Sequence, residues 1–336
     1  MAQNRKPRIL YVAKMLLEET DAEHGLTRPE IEARLEDYGI SSERKALYRD
    51  FENLREIGFD IQTTNTRPVG YYLGTRLFTP PQMALLLDAV RTSRSITEET
   101  SQELLGKLHR LQSTHEAART EQSVHVTGRA KTQNDSVLTT IAQIQQAMHE
   151  KRDISFSYMR YDASLRLVEA PASDGKERVR TPLFLIYADD RYYLLAFDED
   201  APDNIRSYRV DRMKNVMIRD ASDPAHKPDA SFDIGRYERE RLGMFNMEPV
   251  RISLLVAEGL VGNIVDIFGV DGATATPADD AGAWAHMHVS ASPSPVLFGQ
   301  IAQFGGDVRI TGPSRVADAY RAHLEACLAG QEDQEG

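Results

Sequence analysis

Cysteine and long apolar runs are scarce in this sequence. With one cysteine, Cys327, the 336-residue chain cannot form an internal disulfide or a cysteine-based metal cluster. No apolar run approaches the roughly 18 residues that a transmembrane helix needs. The N-terminus also lacks the separate apolar core and the small-residue cleavage site of a signal peptide. We therefore predict a cytoplasmic protein with no membrane partner.

Common enzyme motifs are absent as well. The sequence contains no Gly-x-Ser-x-Gly elbow, P-loop, His-Glu-x-x-His or Gly-x-Gly-x-x-Gly motif. His286 and His288 lie two residues apart on a predicted strand, but no third metal ligand is evident beside them. We predict that the protein is not an enzyme and that it requires no metal or cofactor.

Positive charge is in deficit overall, since the net charge is −11. The deficit is uneven, because residues 1–78 are nearly balanced and residues 250–336 supply most of the negative charge. An acidic chain argues weakly against nucleic-acid binding. Local patches of charge therefore have to decide the question.

The N-terminal region has the pattern of three helices followed by a hairpin. Apolar spacing predicts a first helix at about residues 7–20. A capping box formed by Thr27 and Glu30 predicts the start of a short second helix, which ends near Gly39.

The third predicted helix has two unlike faces. Ser41 or Ser42 is its expected N-cap, and Gly58 is expected to close it after about Ile57. Apolar residues share one face. The other face, near the N-terminal end, carries Arg44, Lys45, Tyr48 and Arg49.

Two short strands follow this helix, with Arg67 near the tip of the turn between them. A short second helix, a cationic third helix and a hairpin are typical of a winged helix-turn-helix DNA-binding domain. The alternative is a plain three-helix domain with a solvated cationic face, and Asp50, Glu52 and Glu56 dilute the charge there. The predicted DNA-binding residues are Ser42, Arg44, Lys45, Tyr48, Arg49 and Arg67.

Residues 77–134 are predicted to form a helical connector. Thr79 and Gln82 mark the start of one helix, and Ser95 and Glu98 mark the start of another. A leucine stripe on the second helix could pack within its own chain or against a second copy. Because DNA-reading helices usually work in pairs, a homodimer through this region is our working hypothesis. The polar stretch 126–136 is a predicted boundary.

The next region changes to a strand pattern, and it contains three arginines in seven residues, Arg206, Arg209 and Arg212. Turn signals at 174–175 and 189–190 suggest about five short strands after one helix, hence a small barrel. Along a straight strand these arginines cannot all face one way. They converge only if the strand bends or ends near Val210, which favours the rim of a pocket.

Arginine and tyrosine together suit an anionic, aromatic ligand. Guanidinium groups match phosphate geometry, and tyrosine offers a stacking face for bases. The alternative is that the arginines pair with nearby carboxylates, and Arg212 beside Asp211 is the one for which pairing is most expected. The nearby candidates for such pairing are Asp198, Glu199, Asp200 and Asp203.

Two stretches resemble a known family. SERKALYRDFENLREIGFDI resembles the recognition-helix region of winged helix-turn-helix domains attached to WYL regulators, in which the arginine of Tyr-Arg-Asp faces DNA and the aspartate serves packing. RYYLLAFD and IRSYRVDRM resemble the WYL signature, with Tyr192 in the place of tryptophan. The resemblance implies an Sm-like, SH3-type β-barrel that senses nucleotides or single-stranded nucleic acid. It also implies the ligand-binding residues Tyr158, Tyr193, Arg206, Arg209 and Arg212.

The last region alternates strands and helices, which predicts a small α/β sandwich. It resembles the C-terminal extension of WYL proteins. The predicted fold class is α+β multidomain. The predicted segments are a winged helix-turn-helix domain at 1–76, the connector at 77–134, a WYL ligand-sensing domain at 135–222, a linker at 223–249 and a C-terminal WYL-associated domain at 250–330.

These observations predict a DNA-binding transcriptional regulator. Its expected partners are a double-stranded DNA operator, a nucleotide or single-stranded nucleic-acid effector, and a second copy of itself. One alternative is an accessory protein whose barrel holds single-stranded nucleic acid as its main role. A weaker one is an enzyme acting on nucleotides.

Overall fold

A computed structural model describes residues 7–121, 130–171, 177–279 and 282–332. The chain is a mixed α+β protein that divides into two compact units, Met1–Asp135 and Ser136–Gly336. Among the residues described, no helix is both long and apolar enough to cross a membrane.

The first unit begins with three helices and a small sheet, as the sequence predicted. Strand β3 lies between β1 and β2 in an antiparallel sheet, and β1 is an addition that the sequence did not predict. The elements are α1 (Arg8–Glu19), β1 (Leu26–Thr27), α2 (Arg28–Asp37), α3 (Arg44–Glu56), β2 (Ile61–Thr63) and β3 (Gly70–Leu73).

Local capping chemistry explains where these helices begin and end. The predicted capping box of Thr27 and Glu30 is present at α2, and Gly58, with φ +100°, follows the end of α3. The predicted serine cap of α3 is wrong. Helix α3 begins one residue later than Ser42 allows, because the carbonyl of Glu43 accepts the first helical bond, from Ala46 N at 2.9 Å. The hydroxyl of Ser42 is buried without a hydrogen-bond partner among the described residues.

The connector consists of α4 (Pro80–Thr92), α5 (Glu98–His109) and α6 (Thr114–Glu121). The capping box at Thr79 is present, but α5 is capped by Thr97, whose Oγ1 accepts from Thr100 N at 3.2 Å, rather than by Ser95. Part of the predicted boundary stretch, 126–129, lies outside the described residues. The homodimer remains a prediction.

Helix α6 packs back onto the first helices of its own unit. The hydroxyl of Ser113 donates to buried Asp21 at 3.2 Å, and Arg76 forms a buried ion pair with Glu116 at 3.1 Å. The connector and the three-helix segment therefore share one compact unit.

The second unit opens with α7 and seven strands, where the sequence suggested about five. The elements are α7 (Val137–Glu150), β4 (Arg152–Tyr161), β5 (Leu167–Glu169), β6 (Arg178–Arg180), β7 (Pro182–Ala188), β8 (Arg191–Phe197), β9 (Ile205–Arg209) and β10 (Met213–Ala221). The predicted turn at Asp189 and Asp190 joins β7 to β8, and both residues have positive φ. The other predicted turn, 174–175, lies outside the described residues.

These strands form two sheets, and the described strands do not close into the barrel that was expected. One sheet has the order β10-β4-β5, with β6 also paired to β4, and the other has the order β7-β8-β9. No described strand pairs across from one sheet to the other. Apolar side chains from both sheets and from α7 fill the space between the two sheets. The members of this core include Ile144, Ile154, Phe156, Leu194, Tyr208 and Met213.

Residues 223–249, predicted as a linker, cover the outer face of the β7-β8-β9 sheet. They contain α8 (Ile234–Glu240), and Tyr237 and Met244 are buried against sheet residues such as Leu195. Ser292 of the last region bonds to the end of this segment, its N–H to Glu240 O and its hydroxyl to Met247 O, each at 2.7 Å. We call residues 240–247 the strap.

The last region has a four-stranded antiparallel sheet of order β12-β13-β11-β14. This is the split β-α-β arrangement. Its elements are β11 (Val250–Ala257), α9 (Val261–Phe268), β12 (Ala273–Pro277), β13 (Trp284–Ala291), α10 (Pro295–Ala302), β14 (Val308–Gly312) and α11 (Ser314–Glu332). Edge strand β12 was missed because it is mostly exposed and lacks apolar alternation.

Candidate ligand site

A cavity of about 830 Å³ lies in the second unit. Its size falls within the roughly 300–1,000 Å³ typical of small-molecule sites. All five residues that the sequence marked for ligand binding line it, namely Tyr158, Tyr193, Arg206, Arg209 and Arg212.

The three arginines lie on an edge strand and in the turn that follows it. Strand β9 stops at Arg209, and a single 3₁₀ turn, Val210–Arg212, follows it. Arg206 and Arg209 are both within β9, at positions that face opposite sides of the sheet, yet both border the cavity. The turn after Arg209 changes the direction of the chain and brings Arg212 to the same cavity.

Asp198 holds two of the cavity arginines. Its Oδ2 is bonded by Arg206 Nε and lies 3.4 Å from Arg180 Nη2, and the carboxylate is buried. The alternative interpretation, pairing with an acidic residue near in sequence, therefore holds for Arg206. A buried carboxylate shared by two guanidinium groups fixes the position of both.

Asp211, in the middle of the 3₁₀ turn, is bonded to Arg209 and Arg191. Arg209 donates from Nε at 3.0 Å and from Nη2 at 2.6 Å to its two oxygens, and Arg191 donates at 2.7 Å. Burial is the largest single influence on the pKa of the Arg209 guanidinium and lowers it, but the hydrogen bonds to Asp211, the charge of Asp211 and two nearby tyrosines together raise that pKa above its ordinary value. The expectation that Asp211 pairs with its neighbour Arg212 is wrong, because the 3₁₀ turn directs the two adjacent side chains differently.

Arg212 and Arg178 contrast with these bonded arginines. Arg212 is exposed, and Arg178 on β6 is half-buried beside Tyr158. Neither has a carboxylate within ion-pair distance in the part of the chain that the structure describes. The cavity therefore has two guanidinium groups with no described carboxylate within 4 Å, although Glu199 and Asp200 also line it.

The tyrosines of the cavity are held rigidly. The hydroxyl of Tyr158 accepts a hydrogen bond from the backbone N–H of Arg209 at 3.1 Å, and its ring meets Tyr208 edge-on at 5.5 Å. The guanidinium of Arg178 lies 5.9 Å from the centre of the Tyr158 ring. Tyr193 is buried, and burial raises the pKa of its hydroxyl.

Part of the cavity wall was not predicted from the sequence. Thr181 donates to Asp153 at 2.6 Å and contacts His226 Nδ1 at 2.9 Å, while the His226 ring stacks on Phe197. The strap supplies the rest of this wall. No local sequence signal could have found these residues, because segments far apart in the chain build the wall.

Strand β9 and the strap are joined directly at the cavity. Ser207 N donates to the side-chain oxygen of Asn246 at 2.9 Å, and the Ser207 hydroxyl donates to Met244 O at 2.7 Å. Both Ser207 and Asn246 line the cavity.

Comparison with protein families matches the region that carries this cavity. Residues 139–218 match the WYL domain, and residues 248–328 match the WCX domain. The chain therefore carries a WYL domain followed by a WCX domain. The WYL match includes the five predicted ligand residues together with Arg178, Arg180 and Asp198.

Solved structures similar to this WYL-domain protein include two of low identity. Proteasome accessory factor B/C (PafBC) of Arthrobacter aurescens is 20% identical, with a TM-score of 0.25 over 93% of this chain and 45% of that one. A CRISPR Cas-related protein is 14% identical, with a TM-score of 0.35 over 59% of this chain and 53% of that one. The WYL-domain protein thus spans about half the length of each.

The first unit of the WYL-domain protein carries the predicted DNA-binding residues on α3 and the following hairpin. Apart from Ser42, they are exposed, and their cations have no ion pair with any described residue. Arg67 lies in the loop between β2 and β3. The exposed members are Arg44, Lys45, Tyr48, Arg49 and Arg67.

Asp50 does not dilute this face, contrary to expectation. It is buried and forms an ion pair with Arg8 of α1, as the family resemblance implied for packing. Tyr48 instead ties the face to the hairpin, because Tyr71 on β3 donates to its hydroxyl at 3.4 Å. This hydrogen bond, above all, lowers the pKa of Tyr48.

The two histidines on β13 have no metal-site geometry. His288 Nδ1 contacts the hydroxyl of Ser253 at 3.1 Å. Within the described ranges, no group of three or more His, Cys, Asp or Glu side chains is arranged to hold a metal.

Proposed function

We propose that this WYL-domain protein is a DNA-binding transcriptional regulator whose WYL cavity senses a nucleotide or a single-stranded nucleic-acid effector. The observation that carries the proposal is the convergence of three signature arginines and two tyrosines on one cavity of about 830 Å³. Guanidinium groups recognise phosphate, and tyrosine rings accept stacked bases.

The first unit supports the DNA-binding half of the proposal. Its three helices, its β-hairpin and the exposed cations near the start of α3 suit a winged helix-turn-helix domain. In this proposal α3 enters the major groove of an operator, and Arg67 on the hairpin contacts the phosphate backbone beside it. A homodimer would present two such helices to two half-sites.

The effector acts by changing the population of two states that differ in operator affinity. No catalytic step is part of the proposal. The effector must bind one state more tightly than the other, and the operator affinity then changes by at most the ratio of the two effector affinities.

Fluorescence anisotropy tests the proposal. The full-length protein is titrated into a labelled duplex from its own upstream region, with and without short single-stranded DNA and a panel of nucleotides. Selective duplex binding that shifts with one addition supports the regulator. Tight binding of single strands without selective duplex binding would favour the accessory protein, and steady turnover of a bound nucleotide would favour an enzyme.

Two kinds of variant separate the two roles. Arg44→Ala or Arg49→Ala should weaken duplex binding. Arg209→Ala should keep basal duplex binding and abolish the response to the effector. Equal loss of duplex affinity in both kinds would contradict this division of labour.

A further inference from the structure

The five arginines that line the cavity differ in whether a carboxylate is bonded to them. Arg180 and Arg206 share Asp198, and Arg209 shares Asp211 with Arg191. Of the five, only Arg178 and Arg212 have no carboxylate within ion-pair distance among the residues that the structure describes.

This difference decides which residues attract an anion. A phosphate that approaches Arg206 or Arg209 also approaches the carboxylate bonded to it, so the net attraction is small. An arginine without such a neighbour offers its full charge. On binding, it neutralises one phosphate and releases the condensed counterion.

Arg178 is also placed to act together with a base-stacking surface. It extends from β6, where it pairs in register with Phe156 of β4, and its guanidinium lies over the ring of Tyr158. One of its nitrogens, Nη2, donates to Pro171 O at 2.8 Å. An arginine has five N–H donors, so donors remain for a phosphate next to a base stacked at Tyr158.

We propose that Arg178 and Arg212 form a two-point clamp for two phosphate groups of one ligand, and that Arg206 and Arg209 are positioning residues. This inference rests on the proposed sensing function and narrows it. The effector carries at least two phosphates, as in a short single strand or a nucleoside polyphosphate. A nucleoside monophosphate engages only one of the two points.

The salt dependence of binding tests the clamp. Binding of a short fluorescein-labelled oligothymidylate to the full-length protein is measured by anisotropy over a series of salt concentrations. The plot of log affinity against log salt has a negative slope. Its magnitude should decrease by about 0.7 in Arg178→Gln and in Arg212→Gln, since each phosphate contact on a single strand contributes about that much. The double variant should lose about 1.4, twice the same contribution.

Charge-retaining and remote variants provide the controls. Arg178→Lys and Arg212→Lys should keep the wild-type slope, because the charge remains. Arg166→Gln removes an exposed arginine that is paired with Asp162, and it should also keep that slope. Thermal unfolding of every variant identifies any slope change caused by misfolding, and the glutamine variant that keeps the wild-type melting temperature then carries the test.

Competition distinguishes the sources of the two phosphates. Thymidine triphosphate and a dinucleotide with a 5′ phosphate are compared with thymidine monophosphate as competitors of the labelled strand. Stronger competition by either of the first two supports the clamp. The stronger of them shows whether the two phosphates are preferred in a polyphosphate chain or on successive nucleotides of a strand. Equal competition by all three would overturn it.

Failure of the clamp and failure of the proposed function look different. If the wild-type protein binds none of these probes, the sensing function itself is wrong. If it binds them with the same salt slope as Arg178→Gln and Arg212→Gln, only the clamp is wrong. A lower slope in Arg206→Gln, together with unchanged slopes in the two clamp variants, would reverse the assigned roles.

Discussion

The arginines of α3 and the arginines of the WYL cavity are in opposite physical states. On α3, Arg44 and Arg49 are solvated and have no described carboxylate partner. Around the cavity, Arg206 and Arg209 are fixed by Asp198 and Asp211. Solvated cations attract a polyanion from a distance and adapt to it. Bonded arginines present donors in a set geometry, but part of their charge is already neutralised.

The same residue type therefore supports two kinds of recognition. The helix face suits a long, regular phosphate backbone, where affinity grows with the number of contacts and falls with salt. The cavity suits one ligand of defined shape. The comparison predicts that changes at the cavity alter stability, whereas changes on α3 alter affinity alone.

Removing the carboxylate of Asp211 in the 3₁₀ turn should have the largest effect. Asp211→Asn removes an anion that is bonded to the half-buried guanidinium groups of Arg209 and Arg191. We expect a loss of about 3 kcal/mol in unfolding free energy, which is typical of breaking a buried pair. Urea unfolding measures it. Asp318→Asn, which breaks an exposed ion pair with Arg321, should cost less than about 1 kcal/mol. Equal losses of unfolding free energy in the two variants would show that the buried and the exposed ion pairs do not differ in strength.

A buried hydroxyl beside the cavity sharpens the comparison through pH. Burial raises the pKa of Tyr237 to about 12, so the folded state favours its neutral form. The folded state keeps its full stability below the ordinary tyrosine pKa of about 10, and it loses stability as pH rises from about 10 through about 12, because the hydroxyl ionises more easily in the unfolded state. Two pKa units correspond to about 2 to 3 kcal/mol.

Tyr237→Phe should therefore lose less stability between pH 10 and pH 12 than the wild-type protein does. At neutral pH it should be neutral or slightly stabilising, because the hydroxyl has no hydrogen-bond partner among the described residues. Urea unfolding across that pH range measures both effects. Parallel stability curves for the two proteins would mean that folding does not raise the pKa of Tyr237, which would contradict this prediction.

The helix face should give the smallest change in stability. Lys45→Ala should alter unfolding free energy by no more than about 0.5 kcal/mol, as for most surface substitutions. It should lower the salt slope of duplex binding by about 0.9, the contribution of one phosphate contact on B-form DNA. Anisotropy in a salt series measures the slope. A clear stability loss with an unchanged slope would place Lys45 in the fold and not at the DNA.

Local chemistry made much of the fold predictable. Capping boxes at Thr27 and Thr79, the glycine after α3 and the end of β9 near Val210 all depend on residues close in sequence. The ligand residues of the cavity were instead implied by the resemblance to the WYL signature, since Tyr158 is far in sequence from Arg209.

Contacts between distant segments could not be predicted in this way. Asp50 looked like part of the cationic face but is held by Arg8 in another helix. Asp211 looked like the partner of Arg212, but the turn directs it to Arg209 and Arg191. The wall formed by His226 and Asn246 depends on how residues 223–249 fold over the sheet, which no short pattern reports.

The strap has a consequence for how the WYL domain can be cut or exchanged. The family match ends at residue 218, yet the outer face of the β7-β8-β9 sheet is covered by residues beyond that point. A fragment ending there would expose Ile186, Tyr193 and Leu195 and would be prone to aggregate. Since Ser292 of the WCX domain also holds the strap, the smallest soluble, transplantable piece of this half of the protein should include both matched domains.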